Sequence, residues 1–165
     1  MTQFPPQLLG PYIGSNVFSI LLSIVAALWP RISRWIFVVL FLGAGVFNAF
    51  IAIRQPSLYV EAYGPLAVLE LYRSFIYGFF SRYTTAIVLA IATGQLVVST
   101  LLTRRGWLFR LGVLGGIIFL VAVAPLGIGS AFPVSLIIAA ALFVMWYRLP
   151  QSYRRDRHQA EISFL

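Results

Sequence analysis

The chain has 165 residues, 61% of them hydrophobic, with a mean hydropathy of +0.93 and a net charge of +8. Soluble domains hold about 45 to 50% apolar residues, so these values exclude an ordinary soluble domain and point to an all-α integral membrane protein. There is no cysteine, which excludes disulfides, thiolate metal ligands and a cysteine nucleophile, and the single histidine, His158, lies in the polar C-terminal stretch, away from any site for a haem or a proton relay.

The positive charge comes from twelve arginines and no lysine, set against Glu61, Glu70, Asp156 and Glu161. These arginines flank apolar runs and do not stripe a soluble surface, so they read as membrane anchors, and no nucleic-acid partner is expected.

A membrane-crossing helix takes roughly 20 mostly apolar residues, with a range of about 17 to 25. The first such run is 12–29. It is expected to be a mature helix and not a signal peptide, because "MTQFPPQLLGPYIGSN" has no basic region and "ALWPRISRW" has no small-residue cleavage site. Pro11 can open this helix and Pro30 can end it. Further spans are expected at 35–53, 84–102, 107–124 and, shorter, 132–147, giving five crossings. Pro125 ends or kinks the fourth, and "PLGIGSAFP" makes an uncharged turn.

With the N-terminus outside, one side receives Arg31, Arg34, Arg104, Arg105, Arg110, Arg148, Arg154, Arg155 and Arg157, and the other only Arg54, Arg73 and Arg82. Basic residues accumulate on the cytoplasmic side, so the expected orientation is N-terminus out and C-terminus in. Tryptophan, which prefers the headgroup level, gives an independent check. Trp29, Trp35, Trp107 and Trp146 all fall at the arginine-rich boundary, whereas Tyr12, Tyr59, Tyr63, Tyr72, Tyr77 and Tyr83 fall toward the opposite one.

The segment "EAYGPLAVLELYRSFIYGFFSRY" does not fit a full crossing. That would bury Glu70 and Arg73, at about 2.5 to 3.5 kcal/mol for each unpaired charge at a helix centre. A helix over Pro65 to Phe80 is expected at the outer face as a lid, lying in the interface or tucked partly into the bundle, with Tyr72, Phe75, Tyr77, Phe79 and Phe80 as its aromatic belt. Small residues spaced by four mark close helix contacts. Such spacing occurs at Gly45 and Ala49, at Ala86, Ala90 and Gly94, and at Gly112 and Gly116. The tail, 148–165, is a basic juxtamembrane cluster in which Arg148, Arg154, Arg155 and Arg157 face anionic lipid or dock a partner subunit.

From Arg34 to about Trp146 the chain resembles the DoxX-like family of small four-helix membrane proteins. The likeness lies in "WIFVVLFLGAGVFNAF", similar to that family's opening helix, and in "AIATGQLVVSTLLTRRGWLFRLGVL", similar to its helix with an embedded glutamate. Asn48 stands where the family often has lysine, and Gln95 where it has glutamate. The resemblance implies a four-helix bundle with 12–29 as an additional helix, and an association with respiratory or sulfur-oxidising membrane complexes. If the family's lysine and glutamate form a charge pair or titrate, that property is absent here, since amides hydrogen-bond across helices but carry no protons.

Two sets of residues are candidates for a site. Glu70 and Arg73, with Glu61 and Tyr72 nearby, could orient the head of a lipophile such as a quinone or lipid, or could form an ion pair that lets the lid lie on the bilayer. Asn48 and Gln95 are polar groups in an apolar setting and need partners, for which an interhelical hydrogen bond suffices. No nucleophile with a base, carboxylate pair or metal-ligand cluster is evident. The expectation is a non-catalytic accessory subunit of a larger membrane assembly in a bacterial cytoplasmic membrane, with electron transfer as the context suggested by the resemblance. The alternative is a binding protein or enzyme for a small lipophile, again with no cofactor held through protein ligands.

Overall fold

The computed structural model describes residues 9–67, 69–126 and 132–163, with side chains up to residue 150. Two long helices, α1 (Leu9–Leu28) and α2 (Pro30–Arg54), are followed by two short ones, α3 (Ser57–Tyr63) and α4 (Glu70–Phe75). A π-helical turn at Ile76–Phe80 leads into α5 (Ser81–Thr103), and α6 (Trp107–Val123) and α7 (Val134–Ser163) follow. Among the described residues there is no strand. Four stretches are long and apolar enough to cross a membrane, namely Leu9–Leu28, Pro30–Arg54, Glu70–Thr103 and Trp107–Leu126, while Val134–Pro150 is apolar but shorter.

The α1–α2 break is written in the sequence. Pro30 is the first residue of α2, where its missing N–H would be unpaired in any case. Its ring pushes the preceding residue out of the helical region, and Trp29 accordingly takes φ −129° and ψ 67°. Both helices therefore begin earlier than the apolar windows suggest. At the other end of the chain α7 runs helical through Ser163 with Pro150 inside it, so the basic tail continues the last apolar helix. Arg148 is exposed on it; the side chains of Arg154, Arg155 and Arg157 lie outside the described residues.

α2 packs along α5, α5 along α6, α6 along α7, and α7 returns to α2, so these four close a ring. α1 lies outside the ring, mainly against α7 and less against α2. Specific contacts fix the directions. Ser99 Oγ donates to the Val38 carbonyl at 2.8 Å, and Arg34 Nε donates to the Leu102 carbonyl at 2.7 Å, so α2 and α5 are antiparallel. Inside the ring a buried cluster including Phe37, Phe41, Leu102, Val113, Leu142 and Met145 forms the main core.

Glycines bring the ring together. A Cβ at Gly45 would sit 2.9 Å from Leu96, at Gly112 2.9 Å from Leu101, and at Gly116 2.8 Å from Leu142. Each is closer than real Cβ atoms approach, so a side chain there would force a neighbour to shift, most severely at Gly112, where the nearest atoms are the Leu101 Cβ and the backbone of Leu101 and Leu102. The expected contact stripe on α5 is corrected: Ala86, Ala90 and Gly94 are all exposed, and a Cβ at Gly94 would meet nothing within 4 Å. The reason is complementarity. The glycines of α2 and α6 receive Leu96 and Leu101 of α5, so α5 supplies the large side chains and its own small face turns outward.

The expected separate helix over Pro65 to Phe80 is also corrected. Leu69 is extended at φ −94° and ψ 131°, helix begins at Glu70, and it runs on to Thr103 as one stretch of 34 residues. The π turn explains this continuity. Ile76, Phe80, Thr84, Val88 and Ala92 are all buried and spaced by four, whereas an α-helix turns every 3.6 residues or so, letting such a stripe drift round the axis. The wider π turn takes up an extra residue and brings the stripe back to the core. A bend remains at Tyr83, where φ −124° and ψ 24° leave the helical region.

Candidate functional site

The two ends of the ring differ in what closes them. At one end Arg34 reaches from α2 to the C-terminus of α5. Besides its bond to Leu102, its guanidinium donates to the Arg104 carbonyl, and it lies 4.7 Å from the centre of the Phe109 ring. The last carbonyls of a helix have no partner within it, and a cation there also complements the helix dipole. Gly106, at φ +66°, then turns the chain into α6 in a conformation that only glycine adopts readily. Trp35 and Trp107, both exposed, flank this closure.

At the other end a chain of polar groups leads into the bundle. Asn48 Nδ2 donates to Gln95 Oε1 at 2.8 Å, joining α2 to α5, and Tyr59 Oη donates to Asn48 Oδ1 at 2.8 Å. Gln95 is 4% exposed, so without Asn48 its amide would be a buried group lacking this partner. Asn48 and Gln95 thus satisfy each other although they stand at different fractions of their own helices. Tyr59 was not singled out by the sequence. Its role depends on α3 folding back over the end of α2, and the visible cue was only the Gln55–Pro56 break that permits the reversal.

Tyr59 stacks on Tyr63 with ring centres 6.1 Å apart. Burial raises both phenols above their ordinary value of about 10, and for Tyr59 the neighbouring Tyr63 adds a smaller push in the same direction. Tyr63, Tyr72 and Leu126 surround a second, smaller core made by Ala52, Ala67, Ile76, Phe80 and Val88. Gly64 is fitted tightly here, since a Cβ on it would lie 2.6 Å from the Tyr77 ring.

Glu70 and Arg73 form an ion pair at 3.3 Å, one turn apart on α4, with side chains 76% and 45% exposed. Arg73 also donates to the Ala67 carbonyl at 3.4 Å. Tyr72 points elsewhere: its hydroxyl donates to the Ala122 carbonyl at 3.1 Å, fastening α4 to the end of α6. Glu61 is not gathered with these three. It stands on α3, beside an open groove of about 590 Å³ between α3 and the start of α5.

That groove brings together Pro56, Ser57 and Glu61 on one wall and Ser81, Arg82 and Thr85 on the other. Among the described residues Glu61 and Arg82 make no ion pair or side-chain hydrogen bond, and the hydroxyls of Ser57 and Thr85 have no partner. The Ser81 hydroxyl is satisfied locally by the Tyr77 and Gly78 carbonyls. In the sequence Arg82 counts only toward orientation, because its neighbour across the groove is twenty-one positions away and is brought near only by the α3 reversal. Among the described residues no group of His, Asp or Glu side chains could hold a metal ion.

The chain was compared with protein-family models, with curated proteins and with solved structures, and none of the three comparisons gave a match.

Proposed function

We propose that this protein is a non-catalytic accessory subunit that packs within a larger membrane assembly. The observation that supports this best is that most of the polar side chains along its apolar helices are bonded to the chain's own atoms, the buried Ser135 hydroxyl on α7 and the exposed Thr85 hydroxyl on α5 being exceptions. Asn48 and Gln95 bond each other, Ser99 bonds Val38, and Thr84, Thr93 and Thr100 each bond a carbonyl one turn back. Such internal bonds take up the hydrogen-bonding capacity that intramembrane chemistry would draw on. What the long helices present outward is apolar: Val39, Val46, Phe47 and Ile53 on α2, and Leu114 and Ile118 on α6, are each more than half exposed.

On this reading the chain crosses the bilayer five times, N-terminus out and C-terminus in, in a bacterial cytoplasmic membrane. The 34-residue helix from Glu70 measures about 51 Å at 1.5 Å per residue, well beyond the hydrocarbon thickness of roughly 30 Å. The part after the Tyr83 bend alone fills the hydrocarbon, and Glu70 to Tyr83 stands in the outer headgroup layer with α3. Val134–Pro150 spans at the lower limit of about 17 residues. The basic tail meets anionic lipid on the inner face. The resemblance to DoxX-like proteins supplies electron transfer as the setting.

The test is gentle extraction from the native membrane, with mass identification of what co-purifies. Larger subunits in fixed stoichiometry support the reading. A chain that leaves the membrane alone, under conditions that keep other membrane complexes intact, contradicts it.

A further inference from the structure

We infer that the groove between α3 and α5 is a binding site for a phospholipid whose headgroup carries both a phosphate and a primary ammonium. Three observations converge on it. The groove bears one unpaired carboxylate, Glu61, and one unpaired guanidinium, Arg82, with free hydroxyls on Ser57 and Thr85. Opposite charges that face one cleft without pairing suit a ligand that carries both signs itself. The guanidinium offers forked N–H donors matched to phosphate oxygens, the hydroxyls can donate to the same oxygens, and a carboxylate accepts from an ammonium.

The second observation is where the groove leads. Thr85 and Ala86 line it, and Ala86 is the top of the exposed stripe that continues through Ala90 and Gly94 down α5. This stripe is smooth because its side chains are small, and among the described residues no neighbouring helix covers it. An acyl chain attached to a headgroup in the groove would run along it, in the outer leaflet. Third, apolar groups rim the cleft, with Val60 on one side and Ala86 and Tyr83 on the other, which suits an amphiphile better than a free phosphate.

Headgroup chemistry separates the lipid classes. Phosphatidylethanolamine supplies both charges and an N–H donor. Phosphatidylcholine has a quaternary nitrogen that cannot donate to Glu61, and phosphatidylglycerol has no cation at all. The inference needs the bilayer setting but not the partner assembly, so it stands or falls separately from the accessory-subunit reading.

The experiment is native mass spectrometry of the purified, delipidated chain titrated with each of these three lipids and, separately, with soluble glycerophosphoethanolamine. The chain should hold phosphatidylethanolamine about tenfold more tightly than phosphatidylglycerol, the scale of one charge-assisted hydrogen bond. Arg82→Gln should weaken both lipids, and Glu61→Gln should abolish the preference between them while leaving phosphatidylglycerol bound. The soluble headgroup should bind far more weakly than the lipid. Both side chains are exposed, so the variants should keep the parent melting temperature, measured alongside. Equal retention of all three lipids by the parent chain would overturn the inference, as would unchanged selectivity in Glu61→Gln. Binding of the soluble headgroup as tightly as the lipid would overturn the part assigned to the α5 stripe.

Discussion

The two ends of this bundle solve the same problem in opposite ways. At the tryptophan-bearing end Gly112 lets α6 approach α5 closely, and one arginine, Arg34, covers the carbonyls left at the end of α5. At the tyrosine-bearing end the chain reverses through α3, passes a π turn and a bend at Tyr83, and leaves Glu61 and Arg82 facing an open groove. The first arrangement leaves little to bind with. The second costs regularity and leaves charged groups available, and the lipid site is proposed there.

That contrast is breakable by substitution, and the largest effect belongs to the close-packed glycines. Gly116→Leu forces a side chain into Leu142 and the Phe41 ring, and should destabilise by about 3 kcal/mol. The same change at exposed Gly94 should stay within about 0.5 kcal/mol of the parent, as surface substitutions do. Thermal unfolding in one detergent compares the two directly. Equal losses would mean that the α5 stripe is buried after all.

Next in size is Arg34. Replacing it with glutamine removes charge-assisted bonds to two orphan carbonyls and the contact with Phe109, and should cost about 2 kcal/mol. Lysine should restore only part of this, since a point charge cannot fork between two oxygens.

The polar chain at the other end should show a smaller, shared effect. Asn48→Leu and Gln95→Leu, made singly and together, should reveal a coupling of about 1 kcal/mol in a double-mutant cycle. Tyr59→Phe should lose a similar amount in the parent background and less once Asn48 is leucine, because only the longer bond to the backbone carbonyl of residue 48, at 3.4 Å, then remains.

Smallest near neutral pH is the contribution of the buried phenols. Tyr59 and Tyr63 ionise later in the folded chain than in the unfolded one, so the folded chain holds its protons longer. Stability should therefore be level below pH about 10 and decline as pH rises through the raised folded values. Ultraviolet phenolate absorbance and melting temperature, followed together, check this. Tyr63→Phe should remove part of the decline.

Much of this architecture could be read before any coordinates. Apolar runs bounded by Pro30 and Pro125 gave the long helices, and the small-residue spacing at Gly45, Gly112 and Gly116 marked real contacts. The same spacing misled on α5, because small residues show that close approach is allowed and not that a neighbour is there. The amides of Asn48 and Gln95 announced a need for partners, but Tyr59 completes their chain only through a tertiary reversal that local pattern does not encode. Similarly, Glu70 and Arg73 stood out because they are neighbours in sequence. Glu61 and Arg82 share the groove without being neighbours, so no spacing rule could pair them.

The two ends of the bundle should lie on opposite faces of a bilayer, and the chain's lack of cysteine makes that directly measurable. Ser57→Cys and Arg105→Cys place single thiols at exposed positions on the tyrosine-bearing and tryptophan-bearing ends. In intact cells a membrane-impermeant maleimide should label the thiol at position 57 and leave the one at position 105 unlabelled until the membrane is permeabilised. Labelling of both from the same side would contradict the account.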